Sequence, residues 1–393
     1  MARAAEALVT PAVLVWARES LDLPRGEAAR KLKVKEERLA AWEAGTQRPT
    51  VNQLRKIADT YKRPLAVFFL SKVPRDFEVA LQDFRRLPGQ MPPATSMSLR
   101  LEIRKAVERR EVALELAKAL DVELPELALT CTAAEKPEAV ASRIRAALGV
   151  SLDQQHAWRN EYEALNGWRR AVERLGVLVF HADRVALKEA RGFSIDERPL
   201  PALVLNAKDV PVARIFTLFH ELTHLLLRQG GLCDLHEAET HGRHADVEVF
   251  CNHVAGAVAA PEGALKAEAV VAAQAGARAW PSQAIEDLAR RYWLSREAIV
   301  RRLTILGAAS NAEYERHRAA LAVPGKRPGG FISPDKRSLR NLGFFFTRLA
   351  VGAYREEVIT GSDLADHLGL KLKHLPKIEE ALTRGEQVDE AGA

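Results

Sequence analysis

The chain has 393 residues, 47% of them hydrophobic, which is material for two or three separate cores and makes a single domain the poorer expectation. A formal charge of +6 permits contact with a polyanion without requiring it, while three widely spaced cysteines (Cys131, Cys233, Cys251) argue against a disulfide framework and fit a reducing, cytoplasmic compartment. No run of about 18 apolar residues occurs, so the expectation is a protein that neither spans nor partners a membrane.

From Thr10 to about Leu70 apolar residues recur three and four apart between short turns, the pattern of five small helices. Pro24 to Leu32 and Lys35 to Ala44 read as the two helices of a helix-turn-helix, with Ala29 small at the crossing, Val34 in the turn, and Leu39 and Trp42 facing inward. Residues 1–70 hold 13 Lys and Arg against 8 Asp and Glu, most of the chain's excess. Lys35, Glu36, Arg38 and Ala41 are the exposed positions of the second helix, with Arg25, Arg48 and Lys62 available for phosphates. The alternative is a protein-interaction module, since Glu36 and Glu37 oppose groove contact. Together with Trp42-Glu43-Ala44-Gly45, Pro49-Thr50 and Leu54-Arg55-Lys56-Ile57-Ala58, this stretch resembles the XRE (Cro/repressor-like) domain, with Lys33 where that family commonly has Gly. The resemblance implies a double-stranded operator and a homodimer reading two half-sites.

The helix-turn-helix unit is assigned residues 1–72 and a helical connecting arm residues 73–135. The arm is interrupted at Leu87-Pro88-Gly89 and Met91-Pro92-Pro93 and carries one long helix over 96–120. In a third segment, 136–310, a helix at Trp168 to Leu175 leads into the apolar run Val177 to Phe180, and Gly192 to Ile195 and Ala202 to Leu205 supply two more strands. The fold class expected is therefore α+β, mostly α. A linker over 311–338, rich in Gly, Pro and Lys from Pro324, and a C-terminal helical domain over 339–393 complete the chain.

The sharpest signal is Phe219-His220-Glu221-Leu222-Thr223-His224. Residues four apart share a helix face, so both imidazoles reach one ion, and zinc suits neutral imidazole. Glu221, about 100° around the helix, is placed to act as general base on a water in the open coordination position. The longer motif with a third His would need Gly at 227 and His at 230, where the chain has Leu227 and Gly230. Glu248, in the helical segment Asp246 to Ala255, offers the third ligand instead, and two His with one Glu is a catalytic set. Asn252, one turn on, is a candidate to orient a ligand, and His253 a candidate oxyanion donor. His236, His241 and His244 read as solvated side chains. The alternative for the triad is a hydrogen-bonded core cluster, but its apolar flanks would make two buried His and a Glu without a partner cost several kcal/mol.

The run Arg214 to His224, with Glu248 to Ala255 and Pro261, resembles the ImmA/IrrE family of metallo-endopeptidases over roughly residues 140 to 310. It departs at Phe219, where the family often has Ala, at Thr223 for the usual Gly, and at Cys251 and Val254. The resemblance implies a zincin-like domain of the gluzincin type that cuts a partner regulator, a repressor or antitoxin-like protein, in a stress or mobile-element response. It also makes Ala202 to Leu205 the edge on which a peptide would lie. The competing function is a repressor or antitoxin whose zinc site is structural or silent.

One pattern repeats. Ala29, Leu32, Val34, Lys35 and Leu39 recur at identical spacing as Ala289, Tyr292, Leu294, Ser295 and Ile299, and as Ala365, Leu368, Leu370, Lys371 and Leu375. Helix-turn-helix-like pairs are expected over 286–304 and 362–382, with simple helical hairpins as the alternative.

Overall fold

A computed structural model of the protein describes residues 5–74, 82–83, 96–228, 231–233, 243–274, 280–321 and 332–390. The chain divides into two compact units, one of residues 1–80 and 93–107, the other of residues 81–92 and 108–393.

In the first unit α1 (Pro11–Glu19), α2 (Arg25–Leu32), α3 (Glu36–Glu43) and α4 (Val51–Tyr61) are followed by a 3-10 turn at Leu65–Phe69 and the first part of α5 (Met97–Ala119). Five helical elements up to Phe69 and the long helix match the periodicity read from the sequence. Thr50 and Gln53 form a reciprocal capping box that starts α4. Leu32, Leu39, Trp42, Ile57, Tyr61 and Phe68 meet in the core. Beneath α3 the buried Arg18 Nε lies 2.6 Å from Glu43 Oε1, and Arg25 Nε donates to Glu43 Oε2 at 2.8 Å. The α2–α3 turn is made by Lys33, held left-handed at φ 58°, a conformation that costs an L-residue about 1–2 kcal/mol.

The second unit is organised on a five-stranded sheet with β1 at Gln82–Asp83, β2 at Leu178–Ala182, β3 at Gly192–Ile195, β4 at Ala202–Asn206 and β5 at Gly231–Cys233. The order is β1-β5-β3-β4-β2. β2 runs parallel to β4 in the register Leu178↔Ala202 to Ala182↔Asn206, and β3 is antiparallel to β4 from Gly192↔Leu205 to Ile195↔Ala202. All three strands are buried along their length, His181, Ser194 and Asn206 included, so none alternates between buried and exposed positions. The expected edge at Ala202 to Leu205 is corrected here. β4 is interior, its backbone groups shared between β2 and β3, so it has no open ladder for a peptide.

Helices α6 (Pro137–Leu148), α7 (Leu152–Ala157) and α8 (Glu161–Arg174) precede β2. After β4 come α9 (Pro211–Leu226), α10 (Arg243–Ala259), the short α11 (Glu262–Ala267) and α12 (Ala269–Ala273), α13 (Ser282–Tyr292) and α14 (Arg296–Ile305). Two further corrections concern the end of the chain. The start of the expected linker forms α15 (Asn311–Leu321), because Ser310 Oγ accepts from Glu313 N and the buried Glu313 carboxylate accepts from Trp280 N at 3.0 Å. The linker's end begins α16 (Pro334–Leu342), and its middle, 322–331, lies outside the described residues.

Nor does the C-terminal segment stand apart from the sheet. α16 packs on β2, followed by α17 (Phe344–Arg355), α18 (Gly361–Leu368), a 3-10 turn at Leu372–His374 and α19 (Leu375–Glu390). Arg169 of α8, buried, donates to Arg340 O at 2.7 Å and to Val179 O, and faces Glu173 at 3.3 Å. The Glu173 carboxylate accepts from Phe344 N and Phe345 N, both at 3.1 Å, and so satisfies the start of α17. Gly343 (φ 86°) permits this approach, since a β-carbon there would fall 2.2 Å from Glu173 Oε1.

Candidate metal centre

α9 opens with Pro211 at its first position and is buried over nearly its whole length, so its polar residues are held inside an apolar helix. His220 and His224 sit one turn apart with no exposed surface, and Glu221 is 1% exposed. α10 packs along α9 and brings Glu248, 4% exposed, onto the same point. His220 Nε2 lies 3.2 Å from His224 Nε2, His220 Nε2 lies 3.2 Å from Glu248 Oε2, and His224 Nε2 lies 3.2 Å from Glu248 Oε1. Two imidazole nitrogens therefore face each other and the two oxygens of one carboxylate, each nitrogen against its own oxygen, in a triangle of three side chains. Ligands at about 2.0–2.1 Å around a tetrahedral ion are separated by about 3.3 Å, which matches the spacing of the two imidazole nitrogens, and one ligand atom from each of the three residues lies within 4.8 Å of the others.

The proton positions agree. Asn252 Oδ1 lies 3.0 Å from His220 Nδ1, and an amide oxygen is an acceptor, which puts the His220 proton on Nδ1 and leaves the Nε2 lone pair aimed into the triangle. Burial alone would raise the Glu248 carboxyl, but the two imidazoles hold it at about 2, so it is an anionic donor at neutral pH. Burial and the neighbouring His220 lower His224, whereas for His220 burial is outweighed by Glu248 and the net direction is up. A metal cation suits this donor set: two imidazole nitrogens and one carboxylate, all buried and within 4.8 Å of one another.

Glu221 turns toward β3. Gly192, at the start of β3, lies against it, and a β-carbon there would come 3.2 Å from Glu221 Oε1 and 2.7 Å from Thr217 Cγ2. The missing side chain makes room for the carboxylate. The two departures on α9 are absorbed by packing. Phe219 meets Trp168 edge to face with centroids 5.0 Å apart, and the Thr223 hydroxyl donates to Phe219 O at 2.8 Å.

Residues 172–304 match the family model of the IrrE N-terminal-like domain of the M78 peptidases, and residues 14–68 match that of a helix-turn-helix. The second unit carries an IrrE-like metallopeptidase domain, and the first a helix-turn-helix of the XRE type. Among curated proteins no sequence matches the chain. The IrrE-like match contains the whole donor triangle, Glu221, Asn252 and Gly192.

Of the residues singled out from the sequence, His220, Glu221, His224, Glu248 and Asn252 meet at one place. His253 does not join them. It turns to Glu138 of α6, with Nε2 3.0 Å from Oε1, while Arg302 of α14 grips the same carboxylate, so the trio ties α10 to α6 and α14. His236 and His241 and the side chain of His244 lie outside the described residues. Gly192 and Glu138 were missed, and no local signal marks either, because each acts through a residue far away in sequence. In the helix-turn-helix, Lys35, Glu36, Arg38, Arg48 and Lys62 are exposed and Ala41 is half-buried. Arg25 is bound to Glu43 by its Nε, and Arg38 stacks over Trp42 at 5.6 Å.

Among the described residues no helix is long and apolar enough to cross a membrane.

Proposed function

We propose that the protein is a cytoplasmic, DNA-tethered zinc endopeptidase of the gluzincin type that cuts a partner regulator, a repressor or antitoxin-like protein, in a stress or mobile-element response. The observation that carries the enzymatic half is the triangle of His220, His224 and Glu248 with the Glu221 carboxylate held beside it by the space at Gly192. Zinc bound by those three side chains would polarise the scissile carbonyl and acidify the attacking water, from a pKa of about 15.7 toward about 7. Glu221 accepts the proton of that water as its oxygen bonds to the carbonyl carbon, then delivers the proton to the amine nitrogen as the C–N bond breaks. Asn252 fixes the tautomer of His220 throughout.

The DNA half rests on the helix-turn-helix match and on exposed Lys35, Arg38 and Arg48. Lys35, Glu36, Arg38 and Ala41 would face base edges and Arg48 and Lys62 phosphates, while Arg25, already held by Glu43, would serve the turn more than the backbone of DNA. A homodimer would place two such units on two half-sites.

The experiment is the Glu221→Gln variant, zinc-loaded and co-expressed with the products of the adjacent genes. Wild type should cut one of them and the variant should keep its zinc and its melting temperature while cutting none. Cleavage that persists unchanged in the variant removes Glu221 from its role; no cleavage by either protein favours a repressor or antitoxin with a silent zinc site.

A further inference from the structure

The turn that defines the helix-turn-helix is built three times. Lys33, Trp293 and Gly369 are all left-handed, at φ 58°, 56° and 60°. The residue after each returns its amide to the helix above: Val34 N to Ala29 O at 3.0 Å, Leu294 N to Ala289 O at 3.0 Å, and Leu370 N to Ala365 O at 3.1 Å. Lys35, Ser295 and Lys371 are then extended, with ψ of 147°, 155° and 141°, before the second helical element starts.

The copies differ in what they leave open. In the middle copy Ile299, Val300 and Leu303 of α14 are buried, Arg301 lies over Tyr314 of α15, and Arg302 is held by Glu138. That copy is an internal joint. In the last copy Lys371, Lys373 and Lys377 are exposed, and Lys336 and Arg337 of α16 are exposed beside them, because Ser338 Oγ donates to Leu368 O at 2.7 Å. None of the five makes an ion pair among the described residues, whereas Arg355 of α17 and Arg384, farther along α19, are matched to Glu379 and Glu380 of α19. Lys377 acts only at longer range on the Asp335 carboxylate, which is 9% exposed. A cluster of exposed, unpaired cations at a helix-turn-helix turn is electrostatically incomplete and complements a regular line of phosphates.

We propose that the face formed by Lys371, Lys373 and Lys377 with Lys336 and Arg337 is a second DNA-contacting surface, binding the phosphate backbone of a duplex. The contact is backbone-directed rather than base-reading. A 3-10 turn precedes α19, Leu375 is only half-buried where Leu39 is an anchor, and Ile378 takes over the anchoring. The first residue of that turn, Leu372, presents carbon to solvent, with 39% of its surface exposed. The choice of duplex DNA over another polyanion leans on the helix-turn-helix reading of the first unit, so the test separates the two.

Binding of the full-length, metal-loaded protein to a random-sequence 60-base-pair duplex is followed against salt, for wild type, the triple variant Lys371→Gln/Lys373→Gln/Lys377→Gln, and Arg38→Gln in α3. Each lost phosphate contact removes about 0.9 from the slope of log K against log salt, so the triple variant should lose about 2 to 3 and bind roughly tenfold or more weakly at 0.1 M salt. Its melting temperature should match wild type, because all three side chains are exposed. An unchanged slope and affinity in the triple variant overturn the second surface and leave the first unit's role intact. A weakened triple variant beside an unaffected Arg38→Gln supports the second surface and counts against α3. Two further results overturn the proposal: wild-type protein that does not bind the duplex, and a triple variant that loses binding only to vesicles containing 30% phosphatidylserine.

Discussion

Asn252 Oδ1 sits 3.0 Å from His220 Nδ1, one helical turn beyond Glu248 on the same helix, so α10 supplies both a ligand and the group that orients another ligand. Replacing Asn252 with Ala should lower zinc affinity by about 10–100-fold, the usual scale for losing such a partner. Competition with a chromophoric chelator would measure it, and an affinity within threefold of wild type would show that the amide is only filling space.

Gly192→Ala tests the room given to Glu221. The added methyl meets Thr217 Cγ2 at 2.7 Å and Val204 O at 3.0 Å before it reaches the carboxylate, and none of these is the free end of a long side chain. Turnover should fall by about tenfold or more while zinc stoichiometry stays at wild type; loss of zinc together with activity would instead mean that β3 had shifted as a whole.

The Glu138 carboxyl predicts a pH dependence. Burial would raise it, but His253 and Arg302 hold it down at about 2, against about 4.3 in an unfolded chain. Its folded pKa is depressed, so its contribution is complete above about 4.3 and disappears as the pH falls toward about 2. The stability gap between wild type and Glu138→Gln, from urea unfolding, should accordingly be widest near neutral pH and close through that acid range. A gap that is flat or widens in acid would contradict the pairing.

Two residues share a left-handed turn and should respond oppositely to glycine. Lys33 is exposed, so Lys33→Gly relieves the backbone and should stabilise the first unit by about 0.5–1 kcal/mol. Trp293 has the same φ but is 9% exposed and donates from Nε1 to Gln155 O at 2.9 Å, so Trp293→Gly should destabilise by about 3 kcal/mol or more. Thermal unfolding of both variants checks the pair.

The donor triangle was legible in the sequence because its two His lie one turn apart and helical spacing fixes their direction, and Glu248 lies in the helical segment Asp246 to Ala255 that resembles the family's third-ligand segment. The strands at Leu178, Gly192 and Ala202 were legible as short apolar runs between turn residues, since full burial removes the need for alternation. Their order was not. Pairing is a long-range choice, and nothing local to Ala202 to Leu205 distinguishes an interior strand from an edge. Gln82–Asp83 and Gly231–Cys233 were missed because two or three residues carry no period. The packing of the last helices on the sheet is not legible because their amphipathic pattern is the same whether they pack on each other or on a sheet, and Arg169 and Glu173 look in sequence like an ordinary solvated pair four apart.

That pair sets how the chain can be divided. The helix that ends at residue 174 carries a carboxylate whose hydrogen-bond donors, the Phe344 and Phe345 amides, are supplied 170 residues later, beyond the IrrE-like match that stops at 304. A fragment trimmed to the matched region would therefore lose Arg169 with most of its helix, leave the Glu173 carboxyl without its donors and bare the flank of β2, and would aggregate or unfold even with every metal-binding residue in place. The smallest autonomous peptidase from this chain includes its final helices.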